Sequence, residues 1–76
     1  MPFRLSDLRP GARARVCGYS AQSHYSAQLA NMGLIPGTEF QVVRIAPLGD
    51  PIEIRFRGYS LALRPAEAHE LLLDWP

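Results

Sequence analysis

Ten residues, Leu29 to Thr38, restrict the fold of this chain more than any others. They run Leu-Ala-Asn-Met-Gly-Leu-Ile-Pro-Gly-Thr and read as a helix end, a tight turn and a strand start. With Met32 as the C-cap, Gly33 takes the C′ position where the chain must turn left-handed, and Leu29 and Leu34 fall at C3 and C″, the apolar pair of a Schellman ending. Two residues on, Pro36-Gly37 fits positions i+1 and i+2 of a type II turn, since proline presets a negative φ and glycine accepts a positive one. Helix and strand therefore meet at an enforced reversal. Leu29, Gly33, Pro36 and Gly37 are accounted for by that geometry alone. Met32, Leu34 and Ile35 are not, and if they are solvent-accessible their apolar surface at the reversal is the expected interaction site.

The rest of the chain reads as short strands. Phe3 to Leu8 places apolar residues at 3, 5 and 8, with a candidate cap at Ser6, so an extended segment followed by one helical turn is expected. Pro10-Gly11 repeats the turn chemistry of Pro36-Gly37, and each pair opens a strand. From Ala12 to Tyr19 small or apolar residues alternate with charge, which predicts Ala14 and Val16 inward and Arg13 and Arg15 outward. Ser20 to Ser23 supplies cap candidates, and Tyr25, Leu29 and Met32 at i, i+4 and i+7 form the apolar stripe of a short helix. Helical spacing by itself signals burial, so the stripe is read as core and not as a ligand site. Thr38 to Ile45 alternates from Phe40 to Val42 and then changes phase at Val43, predicting a bulge or bend. Ala46 to Pro51 is a loop by its prolines and glycine. Ile52, Ile54 and Phe56 share one face of the next strand, and Glu53, Arg55 and Arg57 the other. Gly58-Tyr59 is expected to turn into Ser60 to Arg64, with Leu61 and Leu63 inward. Pro65 opens a short helical turn whose positive end Glu67 complements, and Leu71 to Trp75 forms the last strand. The fold expected is one mainly β domain over residues 1–76. Its five strands form a small closed or nearly closed barrel, with one helix after the first strand and a short helical turn before the last.

Composition excludes several classes. Of 76 residues 47% are hydrophobic and 20% charged, an ordinary globular balance. The longest apolar runs, such as Leu71 to Leu73, fall far short of the about 20 residues of a membrane helix. The N-terminus has no basic segment followed by an apolar one, so no secretory signal is read and a cytoplasmic location is expected. The single Cys17 cannot form an internal disulfide, which suits a reducing compartment. Net charge is only +1, and all eight basic residues are arginines. That balance argues against affinity resting on counterion release from nucleic acid. The Arg13/Arg15 and Arg55/Arg57 pairs are read as a solvated outer face balanced by Glu39 and Glu53. The chain carries no phosphate-cradling loop, paired metal motif or nucleophile elbow, so neither an enzyme nor a cofactor is expected. Cys17, His24 and His69 are the weak metal-ligand candidates, but their spacing specifies no site. A transition metal, were one bound, is expected through His24 or His69 at the surface, bridging two molecules.

With these elements placed, the chain resembles the FeoA family of small ferrous-iron transport proteins. The resemblance is carried by Leu5-Ser-Asp-Leu-Arg-Pro-Gly11, Leu29-Ala-Asn-Met-Gly-Leu-Ile-Pro-Gly37, Pro47-Leu-Gly-Asp-Pro51 and Gly58-Tyr-Ser-Leu-Ala-Leu-Arg64. It implies a bacterial SH3-like barrel acting by contact on a ferrous iron permease that carries an N-terminal GTP-binding domain. Membrane association would then be indirect, through the permease, with self-association open and no nucleic acid involved. The expected contact residues are Met32, Leu34, Ile35, Pro36 and Gly37 together with Leu48 and Asp50, while Leu29, Gly33, Pro10 and Gly11 hold the turns. The barrel also resembles the C-terminal domain of iron-dependent repressors, and the free-standing length is expected to favour the transport protein. The alternatives are an iron-sensing module using Cys17, His24 or His69, and a nucleic-acid-binding barrel using the arginine pairs.

Overall fold

Each Pro-Gly pair does two jobs in the computed structural model, which describes residues 3–66 and 68–76. Gly11 and Gly37 have φ of 88° and 95°. Bonds from Ala12 N–H to the Arg9 carbonyl (2.9 Å) and from Thr38 N–H to the Ile35 carbonyl (3.0 Å) close two type II turns. The glycine N–H groups then cross to a neighbouring strand, Gly11 donating to Val42 O and Gly37 to Val16 O, both at 2.8 Å. Val42 and Val16 return bonds to Ala12 O and Thr38 O. Two residues thus oppose one at each end, a bulge whose first position needs a left-handed glycine. The strands β1 (Arg13–Tyr19) and β2 (Glu39–Ile45) are clamped at both ends of their pairing by one repeated device.

Between them lies the helix α1 (His24–Asn31), and β3 (Ile52–Phe56), β4 (Tyr59–Leu63) and β5 (Leu71–Asp74) complete one antiparallel sheet in the order β4-β3-β2-β1-β5. Strand number, helix position and alternation follow the sequence reading. The expected phase change at Val43 is a register shift between Val42 and Arg44, and a second shift between Val16 and Gly18 leaves Cys17 exposed. Among the described residues no ladder joins the outer strands β4 and β5. The β5 edge is covered by Phe3, which exchanges two hydrogen bonds of 2.8 and 2.9 Å with Leu73. Inward residues of every strand, from Ala14 and Val16 to Leu71 and Leu73, form one buried cluster that Leu5, Leu8, Leu29, Leu34 and Ala68 complete.

Three local expectations shift. The β3–β4 hairpin turns at Arg57-Gly58, whose φ values of 50° and 80° and flanking Phe56–Tyr59 pair describe a two-residue type I′ loop. Tyr59 therefore starts β4, and Arg57 leaves the outer strand face on which it was expected beside Arg55. The first turn (Leu5–Asp7) is capped by Asp7, whose carboxylate accepts from Arg4 N–H at 2.9 Å, and not by Ser6. The short helical turn expected before β5 is present, closed by Ala68 N–H to Arg64 O (2.9 Å) and followed by a turn from Leu71 N–H to Ala68 O (3.1 Å). The expected role of Glu67 lies outside the described residues. Finally, the stripe on α1 buries Leu29 and half-buries Tyr25, but Met32 is 47% exposed. The helix ends at Asn31, so i+7 periodicity no longer applies to the C-cap.

Candidate protein-interaction surface

Every carbonyl from Gly33 to Ile35 is tied down. Leu34 N–H donates to Leu29 O (3.1 Å) and Gly33 N–H to Ala30 O (3.0 Å), the two bonds of the predicted Schellman ending. The Thr38 hydroxyl donates to Gly33 O at 2.9 Å. The Tyr19 hydroxyl, reaching from the end of β1, donates to Leu34 O at 2.7 Å. Partial burial pushes the Tyr19 phenol up to about 12, so it stays a donor at ordinary pH. The Ile35 carbonyl is held by the type II turn. The reversal is thus a rigid platform, and what it displays is preorganised.

It displays Met32 and Ile35, 47% and 43% exposed, with Pro36 and Gly37 exposed beside them. Leu34 is turned the other way, at 0% exposure, and belongs to the core. It is corrected from a contact residue to a packing residue, because C″ of a Schellman ending folds back over C3. Gly33 packs so closely on β3 that a Cβ there would lie 3.2 Å from the Phe56 ring. This contact brings the hairpin alongside, and Met32, Phe56, Tyr59, Ser60 and Leu61 line a groove of about 300 Å³. Tyr59, 67% exposed and 6.3 Å from Phe56 between ring centroids, is the member that sequence reading missed. Its signal was an aromatic residue directly after a type I′ turn, hidden by placing the turn one residue late.

Leu48 and Asp50 are exposed too, Leu48 at 96%. Yet the structure does not join them to Met32 and Ile35. β2 begins after the Pro36-Gly37 turn and ends at the loop carrying Leu48, and a strand of that length spans on the order of 20 Å. The two predicted halves of one surface occupy opposite ends of the sheet.

Metal-ligand candidates are likewise dispersed, Cys17 on the β1 bulge, His24 at the start of α1 and His69 in the turn before β5. Among the described residues no three His, Cys, Asp or Glu side chains gather. On the outer sheet face Arg15 approaches Asp74 (3.7 Å) and Arg44 approaches Glu53 (3.2 Å). Arg13, Arg55, Arg57 and Arg64 have no ion pair among the described residues. No helix among those residues is long and apolar enough to cross a membrane.

Fold and surface together define a small SH3-like domain that presents an apolar corner. The FeoA domain model matches residues 3–74, and the chain belongs to the FeoA family. Over 72 residues, 95% of its length, it is 31% identical to the Fe(2+) transport protein A/Fe(2+) transporter FeoB fusion protein of Porphyromonas gingivalis. It spans only 8% of that protein. The FeoA-like protein of Clostridium acetobutylicum matches with a TM-score of 0.87 and 35% identity, over 97% of this chain and 86% of that one. The zinc-complexed FeoA of Stenotrophomonas maltophilia, described as an SH3 domain protein, matches at 0.80 and 27%, over 97% and 89% of the two chains. A likeness to T. acidophilum IdeR, with a TM-score of 0.85 at 21% identity over 99% of this chain and 34% of that one, is one of fold alone.

Proposed function

We propose that this chain is a non-enzymatic accessory protein of bacterial ferrous iron uptake. It docks the corner formed by Met32, Ile35 and Tyr59 onto the cytoplasmic, GTP-binding region of the iron permease and biases its conformation. One observation carries the reading: in the Porphyromonas gingivalis relative, transport protein A and the transporter are one polypeptide, so evolution has held the two at high effective concentration. The corner suits such a contact because its apolar side chains are fixed by a hydrogen-bonded platform, which lowers the ordering cost of association. Iron is cargo of the permease in this scheme and needs no site on this chain.

The test is retention of the permease's soluble GTP-binding domain on immobilised chain, with and without guanine nucleotide. Completing the burial of a half-exposed Ile is worth about 1 kcal/mol and a buried unpaired charge costs more, so Ile35→Asp is expected to reduce retention at least tenfold. Leu48→Asp, at the other end of the sheet, should leave it unchanged. A folded Ile35→Asp variant retained like wild type would overturn the proposal.

A further inference from the structure

We propose that the free edge of β4 is a strand-addition site for an extended partner segment with an apolar centre and acidic ends. This deepens the docking reading above and rests on it only for the identity of the partner. Phe56 and Tyr59 close a two-residue hairpin and are therefore a hydrogen-bonded pair, so alternation directs the backbone groups of Tyr59, Leu61 and Leu63 towards β3. The N–H and C=O groups of Ser60 and Ala62 then point outward, and none of them finds a partner among the described residues. The opposite edge is treated differently, because Phe3 pairs with Leu73 there and packs its ring, tilted by 37°, against Trp75 with centroids 4.5 Å apart. β4 itself, Tyr-Ser-Leu-Ala-Leu, contains no charge, proline or bulge, the devices that normally blunt an edge.

The groove lined by Met32, Phe56, Tyr59 and Leu61 lies on the inward side of this edge. An added strand would bond to Ser60 and Ala62 and send an inward side chain into that groove, main chain supplying affinity and groove supplying selection. Charge selects the occupant. Arg57 and Arg64 bracket β4 without ion-pair partners among the described residues, which favours acidic residues at both ends of the segment. The same arginines oppose a second copy: a two-fold pairing centred on Leu61 sets Arg64 of each molecule one position from Arg57 of the other.

The probe is an end-capped seven-residue peptide with glutamate at both ends, leucine at the centre and valine and threonine between, titrated into the isotope-labelled full chain. At saturation the Ser60 and Ala62 amides should shift and exchange with solvent at least tenfold more slowly. N-methylation of one alternate set of peptide nitrogens should weaken binding at least tenfold while the other set leaves it unchanged, and lysine in place of glutamate should weaken it by a similar factor. Ala62→Pro, which removes an outward N–H at an edge that tolerates proline, should abolish peptide binding. The proposal is overturned if both methylated peptides bind equally, if shifts at Met32 and Tyr59 come without protection of Ser60 and Ala62, or if β4 pairs with itself in a concentration-dependent dimer. Wild-type retention of the permease domain by folded Ala62→Pro would also overturn it while leaving docking intact. Peptide binding by a chain that retains no permease domain would support it and refute docking.

Discussion

Replacing Gly33 by alanine asks whether the helix ending is held by backbone conformation, by its approach to β3, or by both. At φ +112° an L residue is strained, at a cost of about 1–3 kcal/mol. The new methyl would also sit 3.2 Å from the Phe56 ring, which is 4% exposed and enclosed by the core, so the ring or the helix end must yield. Overpacking of this kind adds at least about 1 kcal/mol. Gly37→Ala supplies the comparison, with φ +95° and nothing within 4 Å of its Cβ, so it carries backbone strain alone. A domain of 76 residues has roughly 4–11 kcal/mol of stability in total, at about 0.05–0.15 kcal/mol per residue. A loss near 3 kcal/mol for Gly33→Ala would lower Tm by roughly 12–24 °C, with Gly37→Ala falling less far. Urea and thermal denaturation followed by circular dichroism measure both. In a double-mutant cycle, Phe56→Leu should relieve about 1 kcal/mol of the Gly33→Ala cost. A Gly33→Ala variant no less stable than Gly37→Ala, or a cycle with no coupling, would show that the approach to the Phe56 ring costs nothing.

Tyr19→Phe leaves the Leu34 carbonyl without its donor and should cost about 1–2 kcal/mol. Because burial raises the Tyr19 phenol from 10.0 to about 12, its stabilisation is complete below pH 10 and lost between pH 10 and 12; alkaline unfolding should therefore begin in that window in wild type and flatten in Tyr19→Phe. Leu34→Ala should cost about 2–5 kcal/mol in urea denaturation, as a core cavity does, whereas Ile35→Ala, exposed one residue away, should change stability by no more than about 0.5 kcal/mol. Ser23→Ala removes the N-cap acceptor for Ser26 N–H (3.1 Å) and the donor to Glu70 (2.6 Å), and should cost about 1 kcal/mol by chemical denaturation.

Comparison of expectation with structure divides along sequence separation. The Schellman ending, both Pro-Gly turns and the Val43 phase change were legible because each depends on residues within five positions of one another. The strands β1 and β3 were legible because the alternation of Ala14 and Val16, and of Ile52, Ile54 and Phe56, records which face is buried. The one-residue error at Arg57-Gly58 arose where local pattern was ambiguous: Gly-Tyr and Arg-Gly both look like turns, and only the pairing of Phe56 with Tyr59 chooses between them. That error also concealed Tyr59 as a surface residue.

Local residue order was enough to locate the reversal between Leu29 and Thr38, the residues that alternate inward, and the family to which the chain belongs. How much of each apolar residue of the reversal reaches the surface depends on packing. Leu34 is covered, while Met32 and Ile35 stay about half exposed. Packing also separated Leu48 from that corner by the length of β2, and placed Tyr59 and Leu61 beside Met32. Leu34 was already set against Leu29 by the local Schellman spacing, whereas the neighbours of Met32 come from a hairpin more than twenty residues away, which no local spacing encodes. Gly33, read first as a stop signal, is also the point where helix and hairpin come close enough to make a groove.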